Sequence, residues 1–259
     1  MLGLHPLVSS EIGDYDVERI LTYGSLPAIY DSDEPWQDLK AYSGTYLKEE
    51  IAAEGAARRL DAFSRFLHSA ALYSGKQINF EAWSSDAAVP ARTVREYFSV
   101  LSDTLIGEML EPWKSGKKRK PASTGKCYFF DIGVRNALAG IQSISPGTDE
   151  YGKAFEHFIY EELRAWLDYH RDDRPLTFWR TQDKKEVDFI VGDEIAIEVK
   201  AAELPQYRHL KGLIAIADEA TFKHRILVCQ APEPRLSEGI EILPVKVFLE
   251  ALWADTLIE

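Results

Sequence analysis

The sequence contains little sulfur and no long apolar run. Its 259 residues include two cysteines, Cys127 and Cys229. Two are too few for a disulfide framework, and their separation does not suit a zinc site, so we expect a reducing, cytoplasmic location. No apolar segment approaches the ~20 residues that cross a bilayer, and the opening "MLGLHPLVSSE" lacks the basic flank and apolar core of a signal peptide. We therefore expect a soluble protein that makes no membrane contact.

Three common catalytic motifs are also missing. There is no G-x-x-x-x-G-K-[ST] phosphate-binding loop, since Gly125–Lys126 has no earlier glycine at the required place. There is no G-x-S-x-G elbow, and the six histidines lack zinc-ligand spacing. The sequence therefore predicts no ATP binding, and it disfavours hydrolysis through a serine triad or a zinc ion.

Positive charge is scarce except in one place. The formal net charge is -12, which disfavours broad attraction to nucleic acid. The stretch "KSGKKRK" is the exception, with five cations between Lys114 and Lys120. We predict that this segment contacts nucleic acid through Lys117, Lys118, Arg119 and Lys120.

The first part of the chain has helical periodicity. We divide it into a helical connecting region over residues 1–60 and a second region over 61–145. The second region has three helical patterns starting near Asp61, Asn79 and Pro90, followed by two strand-like segments on either side of the basic stretch. This order predicts a winged helix-turn-helix domain. The third helix is expected to bury Val94, Phe98, Leu101 and Leu105.

Two uses of such a domain stay open. As a DNA reader it would insert the third helix, with Arg92 and Arg95, into the major groove and lay the basic wing on phosphates. As a protein-docking or spacer domain it would leave the same arginines in solvent. Residues 61–145 therefore predict DNA or a protein as the partner.

The last part, residues 146–259, alternates helices with short β-branched strands. The predicted order is helix, three strands, helix, two strands and helix, which is typical of an α/β sandwich. In "KKEVDFIVGDEIAIEVKAAE" two strands flank a three-residue turn, "GDE". That register places Asp188 opposite Glu198, with Lys200 two residues further on, and alternation puts Val187 on the same face as Phe189.

The pair of opposed acids suggests a metal site. Directly opposed residues have Cβ atoms about 5 Å apart, and like charges at that distance repel unless a cation lies between them. Mg²⁺ takes oxygen ligands and commonly uses carboxylates with a substrate phosphate. Lys200 would then orient the attacking water or stabilise the developing negative charge.

A third carboxylate is available from the preceding helix. Glu156 falls at the border of an apolar stripe in "GKAFEHFIYEELRAWL", and Glu162 is the competing candidate. A structural interpretation of the hairpin also stays open: Glu186 would form an ion pair with Lys200, and Asp188 would accept a bond from a backbone amide.

The helix glutamate, Asp188 and Glu198-Val-Lys200 resemble the PD-(D/E)XK nuclease superfamily. Together with "YGSLPAIYD", "LKAYSGTYLKEEI", "FFDIGVRNAL" and "YGKAFEHFIYEEL", they resemble the domain of unknown function that follows the ATPase in prokaryotic predicted AAA-type ATP-binding proteins. The resemblance covers nearly all of the chain, and the ATPase part is absent from it.

This resemblance implies a winged helix followed by a restriction-endonuclease-like α/β fold. For function it implies a Mg²⁺-dependent nuclease, with Glu156, Asp188 and Glu198 as metal ligands and Lys200 at the nucleophile. The alternative is a noncatalytic module that binds DNA or a protein beside an ATPase.

Overall fold

A computed structural model describes residues 3–46, 60–114 and 124–257. By contacts the chain forms two compact units. One unit is Tyr15–Met109 with Lys126–Ile144, and the other is Met1–Asp14, Leu110–Gly125 and Ser145–Glu259. This division differs from the sequential one into 1–60, 61–145 and 146–259, because the first residues pack with the C-terminal unit. Every helix in the described ranges is too short or too polar to span a bilayer.

The first unit is mainly helical. After the short α1 of the other unit (Ser9–Ile12), its elements in chain order are α2 (Val17–Tyr23), α3 (Pro27–Tyr30), α4 (Pro35–Ala41), a π-helical turn (Tyr42–Tyr46), α5 (Leu60–Leu72), α6 (Phe80–Ala87), α7 (Ala91–Asp103), β1 (Gly107–Pro112), β2 (Lys126–Phe129) and α8 (Ile132–Ala139). The predicted three helices and two strands are therefore present in the predicted order. Strands β1 and β2 are hydrogen-bonded neighbours.

The three predicted helices α5, α6 and α7 share one core. Asn79 caps α6, since its Oδ1 accepts bonds from the amides of Glu81 and Ala82. The residues buried from the three helices include Phe63, Phe66, Trp83, Val94, Phe98 and Leu101. The prediction for Leu105 was wrong. It lies past the end of α7 with a φ of 58°, and it is 70% exposed.

Hydrogen bonds of the buried Asp131 join α8 to the loop after α2. Asp131 caps α8 through the amide of Val134 and also accepts a bond from the amide of Ser25. The approach of the two segments is close, because a Cβ on Gly133 would lie 2.0 Å from the carbonyl oxygen of Tyr23. Two of the sequence motifs quoted above, "YGSLPAIYD" and "FFDIGVRNAL", are thus in direct contact.

The second unit is a mixed sheet covered by helices. Its elements, besides α1 and the end of β1, are α9 (Asp149–Tyr169), β3 (Leu176–Arg180), β4 (Glu186–Val191), β5 (Ile195–Lys200), α10 (Tyr207–Ile216), β6 (His224–Cys229), β7 (Arg235–Ser237), β8 (Ile240–Pro244) and α11 (Val245–Trp253). The strand order is β1-β3-β4-β5-β6-β8-β7. Strands β5, β6 and β8 are mutually parallel, while β4 runs antiparallel to both β3 and β5. The short, exposed β7 was not predicted.

The β4–β5 hairpin has the predicted register. Val191 pairs with Ile195 and Phe189 with Ile197, so the turn has three residues as predicted. Beyond this pairing Asp188 contacts β5 through its side chain, which accepts a bond from the amide of Val199. The predicted face of Val187 was wrong. Val187 packs in one cluster with Ile190 and Ala196. The cause is a register shift between β3 and β4, where β4 has an extra residue and the alternation is interrupted beside Asp188.

Helix α10 packs on β4, β5 and β6. It approaches β4 so closely that a Cβ on Gly212 would lie 1.9 Å from the carbonyl oxygen of Glu186. Helix α9 packs on β5 through its apolar stripe, which is buried as predicted at Phe155, Phe158, Ile159, Leu163 and Trp166.

Candidate functional site

Two buried acids and a lysine meet at the ends of β4 and β5. The Nζ atom of Lys200 lies 2.7 Å from Oε1 of Glu198 and 3.4 Å from Oδ2 of Asp188. It also donates to the carbonyl oxygen of Val199 at 2.8 Å. Asp188 and Glu198 are 4% and 7% exposed. The structure therefore brings together three of the predicted site residues as one ion cluster.

Glu198 is incompletely satisfied in this cluster. Its Oε2 atom is buried and has no hydrogen-bond partner among the residues that the structure describes. Burial raises the pKa of Glu198 well above its usual value, and the charge of Asp188 adds to this rise, while Lys200 opposes it. A buried carboxylate oxygen without a donor is costly, so this atom is a candidate ligand atom for a cation.

Lys200 is held as an ammonium. Its burial lowers the pKa, but the charges of Asp188, Glu198 and Glu156 outweigh burial, and the net pKa is raised. Lys200 is thus a hydrogen-bond donor at neutral pH. Of the two roles predicted for it, a protonated amine suits stabilisation of negative charge.

The two candidate helix glutamates have different surroundings. Glu156 is half-buried and close enough to Lys200 to raise the pKa of the lysine. Glu162 is buried elsewhere in the unit, where it accepts bonds from the amide and hydroxyl of Ser9 and from Nε1 of Trp253. The carboxylate of Glu162 is therefore bonded to α1 and α11. Glu156 is the helix acid whose charge acts on Lys200.

The structural interpretation of the hairpin holds in part. Asp188 accepts a 2.8 Å bond from the amide of Val199. Glu186, however, pairs with Arg180 at 2.6 Å and not with Lys200. The ammonium of Lys200 is therefore directed to the two predicted metal ligands.

The chemistry of the donors fits a hard cation at two carboxylates. Mg²⁺ is commonly bound by one or two carboxylates together with water and substrate phosphate, and Glu198 offers an oxygen without a partner. No group of three or more His, Cys, Asp or Glu side chains that could hold a metal lies within the described ranges. Glu156 therefore does not complete a three-carboxylate site in this arrangement.

The residues predicted to bind nucleic acid are only partly described. Lys117, Lys118, Arg119 and Lys120 lie outside the described residues. Arg92 and Arg95 face solvent as expected, and each is near an acid: Arg92 lies 3.2 Å from Glu96 and Arg95 lies 3.4 Å from Glu81. Their charges are therefore partly compensated.

Sequence reasoning missed the part played by Gly212. Its closeness to Glu186 sets α10 against β4, and a Cβ there would lie 3.5 Å from Oε2 of Glu198. The available signal was an isolated glycine inside the helical pattern "LKGLI", which often marks close packing.

Comparison with known proteins gives two domain matches. A family model described as "Domain of unknown function (DUF8612)" matches residues 14–145, about half of the chain. The chain belongs to the DUF8612 family. A second model, "Domain of unknown function (DUF4143)", matches residues 151–248 of this DUF8612 protein. DUF4143 is known as a C-terminal domain of AAA-ATPase proteins.

Two curated mycobacterial proteins are similar to this DUF8612 chain. They are the uncharacterized protein Mb2031c of Mycobacterium bovis and the uncharacterized protein Rv2008c of Mycobacterium tuberculosis, each 26% identical over 215 residues. The match covers 79% of this chain and 47% of each relative, so the chain spans about half the length of the curated relatives it matches. No solved structure matches the chain.

Proposed function

We propose that the C-terminal unit is a PD-(D/E)XK-like nuclease module that hydrolyses a phosphodiester of DNA with Mg²⁺. The observation that supports this most is the buried Oε2 of Glu198, which lacks a partner in a cluster with Asp188 and Lys200. Asp188 and Glu198 would hold the ion. When bound, Mg²⁺ would supply a Lewis acid for the phosphate and a water of lowered pKa.

The chain's own residues then have separate tasks. Asp188 is oriented by the amide of Val199, which fixes the direction of its second oxygen. Lys200, kept protonated by Asp188, Glu198 and Glu156, would donate to the negative charge that develops on the phosphate. Hydrolysis adds water across one P–O bond, leaving a phosphate monoester and a hydroxyl group.

A cleavage assay that compares substitutions at two acids of β4, Asp188 and Glu186, tests the proposal. Circular single-stranded and duplex DNA would be incubated with the protein in Mg²⁺ and in EDTA. We expect cleavage in Mg²⁺ alone, loss of it in Asp188→Asn and Lys200→Met, and retention in Glu186→Gln, whose carboxylate faces Arg180. Equal cleavage by wild type and Asp188→Asn would assign the activity to a contaminant.

The second candidate function is a noncatalytic module beside an ATPase. It is favoured by the position of Lys200, which already contacts both acids and so offsets part of their negative charge without a metal. In this case α5, α6, α7, β1 and β2 would act as a winged helix that binds DNA or a protein. Calorimetry with Mn²⁺ separates the two candidates: binding that Asp188→Asn abolishes supports the nuclease, and no heat at millimolar Mn²⁺ supports the noncatalytic module.

A further inference from the structure

The ammonium of Lys200 is surrounded by oxygen atoms. Its Nζ atom lies 2.7 Å from Oε1 of Glu198 and 3.4 Å from Oδ2 of Asp188. It also donates a 2.8 Å bond to the main-chain carbonyl oxygen of Val199. Carboxylate and carbonyl oxygens are the ligands that Mg²⁺ and Ca²⁺ use in proteins. A divalent ion that bridges the two acids would therefore meet oxygens that the ammonium of Lys200 already contacts.

A single positive charge leaves this cluster incompletely paired. The ammonium contacts Oε1 of Glu198, while Oε2 of the same carboxylate is buried and accepts no bond from the residues described. An ion bound to that second oxygen would lie within a few ångströms of the ammonium. Like charges at such distances repel strongly where solvent is largely excluded. Binding of an ion to Glu198 would therefore weaken the hold of the acids on Lys200.

Lys200 also covers the two acids on the side open to solvent. Its side chain is 36% exposed, compared with 9% for that of Glu198 and 5% for that of Asp188. On another side α10 closes the cluster, because a Cβ on Gly212 would lie 3.5 Å from Oε2 of Glu198. A lysine has a flexible four-carbon stem. Lys200 can therefore turn into solvent and open the side from which an ion reaches the acids.

We propose that Lys200 and a divalent cation compete for the Asp188–Glu198 cluster, and that binding of the cation turns the ammonium outward to the substrate phosphate. The inference rests on the proposed function, because it takes these two acids as the ligands of the ion. It adds a control on the lysine. Without the ion the acids hold the ammonium, and with the ion the ammonium is released to donate to the phosphate.

Acetylation of lysines, measured by mass spectrometry, tests the release of Lys200 without any cleavage step. The wild type would be treated briefly with an N-hydroxysuccinimide ester of acetate in EDTA, in Mg²⁺ and in Ca²⁺, without DNA. In EDTA we expect Lys200 to react more slowly than the exposed Lys211, because the acids hold its ammonium. Either cation should raise the rate at Lys200 severalfold and leave the rate at Lys211 unchanged. In Asp188→Asn the cations should no longer change the rate at Lys200.

Calorimetry with Mn²⁺ tests the competition directly. Lys200→Met removes the competing charge, so this variant should bind Mn²⁺ more tightly than the wild type. We expect at least about a fivefold gain, the effect of one unit charge at about 4 Å even under the screening of bulk water. Lys211→Met is the matched control, since it removes an exposed lysine of α10 and should bind Mn²⁺ as the wild type does.

Two results would overturn the inference. One is equal or weaker binding of Mn²⁺ by Lys200→Met, and the other is an unchanged or slower reaction of Lys200 in a cation that calorimetry shows to bind. Cleavage of DNA is measured separately in Mg²⁺. Release of Lys200 without cleavage would support the competition and contradict the nuclease proposal alone, as would binding of Mn²⁺ by Lys200→Met but not by the wild type. Cleavage with an unaltered rate at Lys200 would contradict this inference alone, and no binding by either protein would contradict both.

Discussion

The ammonium of Lys200 lies 2.7 Å from Oε1 of Glu198, and the second oxygen of Glu198 is buried without a hydrogen-bond partner in the described part of the chain. Only one of the two carboxylate oxygens of Glu198 thus contacts a positive charge. A lysine donates along single N–H directions and cannot satisfy both oxygens of a carboxylate as a bidentate group would. The cluster is stable enough to hold two buried acids, and it leaves one oxygen for a further cation.

Removing the lysine charge should destabilise the C-terminal unit. In Lys200→Met, Asp188 and Glu198 face each other without their cation, which costs about 3–5 kcal/mol for a fully buried pair. The Lys200 side chain is 36% exposed, so solvent screening reduces the expected loss to roughly 1–3 kcal/mol. Urea denaturation at neutral pH measures it. The control, Lys211→Met, removes an exposed lysine that has no acidic partner within residues 3–46, 60–114 and 124–257, and it should change the free energy of unfolding by less than about 0.5 kcal/mol.

Millimolar Mg²⁺ should recover part of the Lys200→Met loss, because the ion would replace the missing positive charge. The same urea titration with and without Mg²⁺ checks this. If Mg²⁺ stabilised the Lys200→Met, Asp188→Asn double variant equally, a Mg²⁺ site at Asp188 would be contradicted.

Gly212 should tolerate no side chain. In Gly212→Ala the Cβ would lie 1.9 Å from the carbonyl oxygen of Glu186, so α10 must move away from β4. Overpacking of this kind costs about 1–3 kcal/mol of stability. Gly152→Ala is the matched helical control. No described residue outside α9 lies within 4 Å of its added Cβ, so alanine should stabilise α9, by roughly 0.5–1 kcal/mol. Thermal unfolding of both variants gives the comparison.

Local pattern was enough to predict most of the elements near the site. The three strands β3, β4 and β5, the three-residue turn and the pairing of Phe189 with Ile197 follow from alternation and from a short polar turn. The meeting of Asp188, Glu198 and Lys200 follows from the same register. These features involve residues close in sequence, where periodicity carries the information.

The remaining features depend on contacts that periodicity does not encode. The face of Val187 is set by a bulge against β3, and a bulge has no side-chain signature in "EVDFIV". The anchoring of Ser9 by Glu162 joins residues 153 positions apart. Sequence alone therefore favoured Glu156 with Glu162 as the competing candidate, and the bonds of Glu162 to Ser9 and Trp253 show that Glu162 is engaged elsewhere.

The buried Glu162 should make stability depend on pH. Burial raises its pKa from 4.5 to about 7, against the bonds from Trp253 and Ser9, and Glu11 adds to the rise. At a pH between these two pKa values, Glu162 therefore keeps its proton in the folded state and has lost it in the unfolded state. Its stabilising contribution is complete below the unfolded pKa and is lost as pH rises through about 7.

Glu162→Gln should flatten this dependence. At about 1.4 kcal/mol per pKa unit, the wild type should lose roughly 3–4 kcal/mol of stability from this group across the window, and the variant should not. Urea denaturation at several pH values measures the slope. Glu250→Gln, an exposed change on α11, should keep the wild-type slope. A wild-type free energy of unfolding that rises across this window in step with that of Glu162→Gln would contradict the assignment.

The helical unit should depend on Asp131 more than on an ordinary capping residue. Asp131 is fully buried and accepts bonds from the amides of Val134 and Ser25, so Asp131→Ala leaves two buried donors without partners. Each buried unsatisfied group costs about 1–3 kcal/mol, and we expect a total loss near 3 kcal/mol.

Asp16→Ala is the matched control for this change. Asp16 caps α2 through the amides of Glu18 and Arg19 at the surface, where water can replace its carboxylate. Its loss should cost about 1 kcal/mol, the usual value for an exposed N-cap. Urea denaturation of the two variants compares them directly. Equal losses would mean that the bond from Asp131 to Ser25 contributes nothing beyond the cap, and that the loop after α2 is held in place by its apolar contacts.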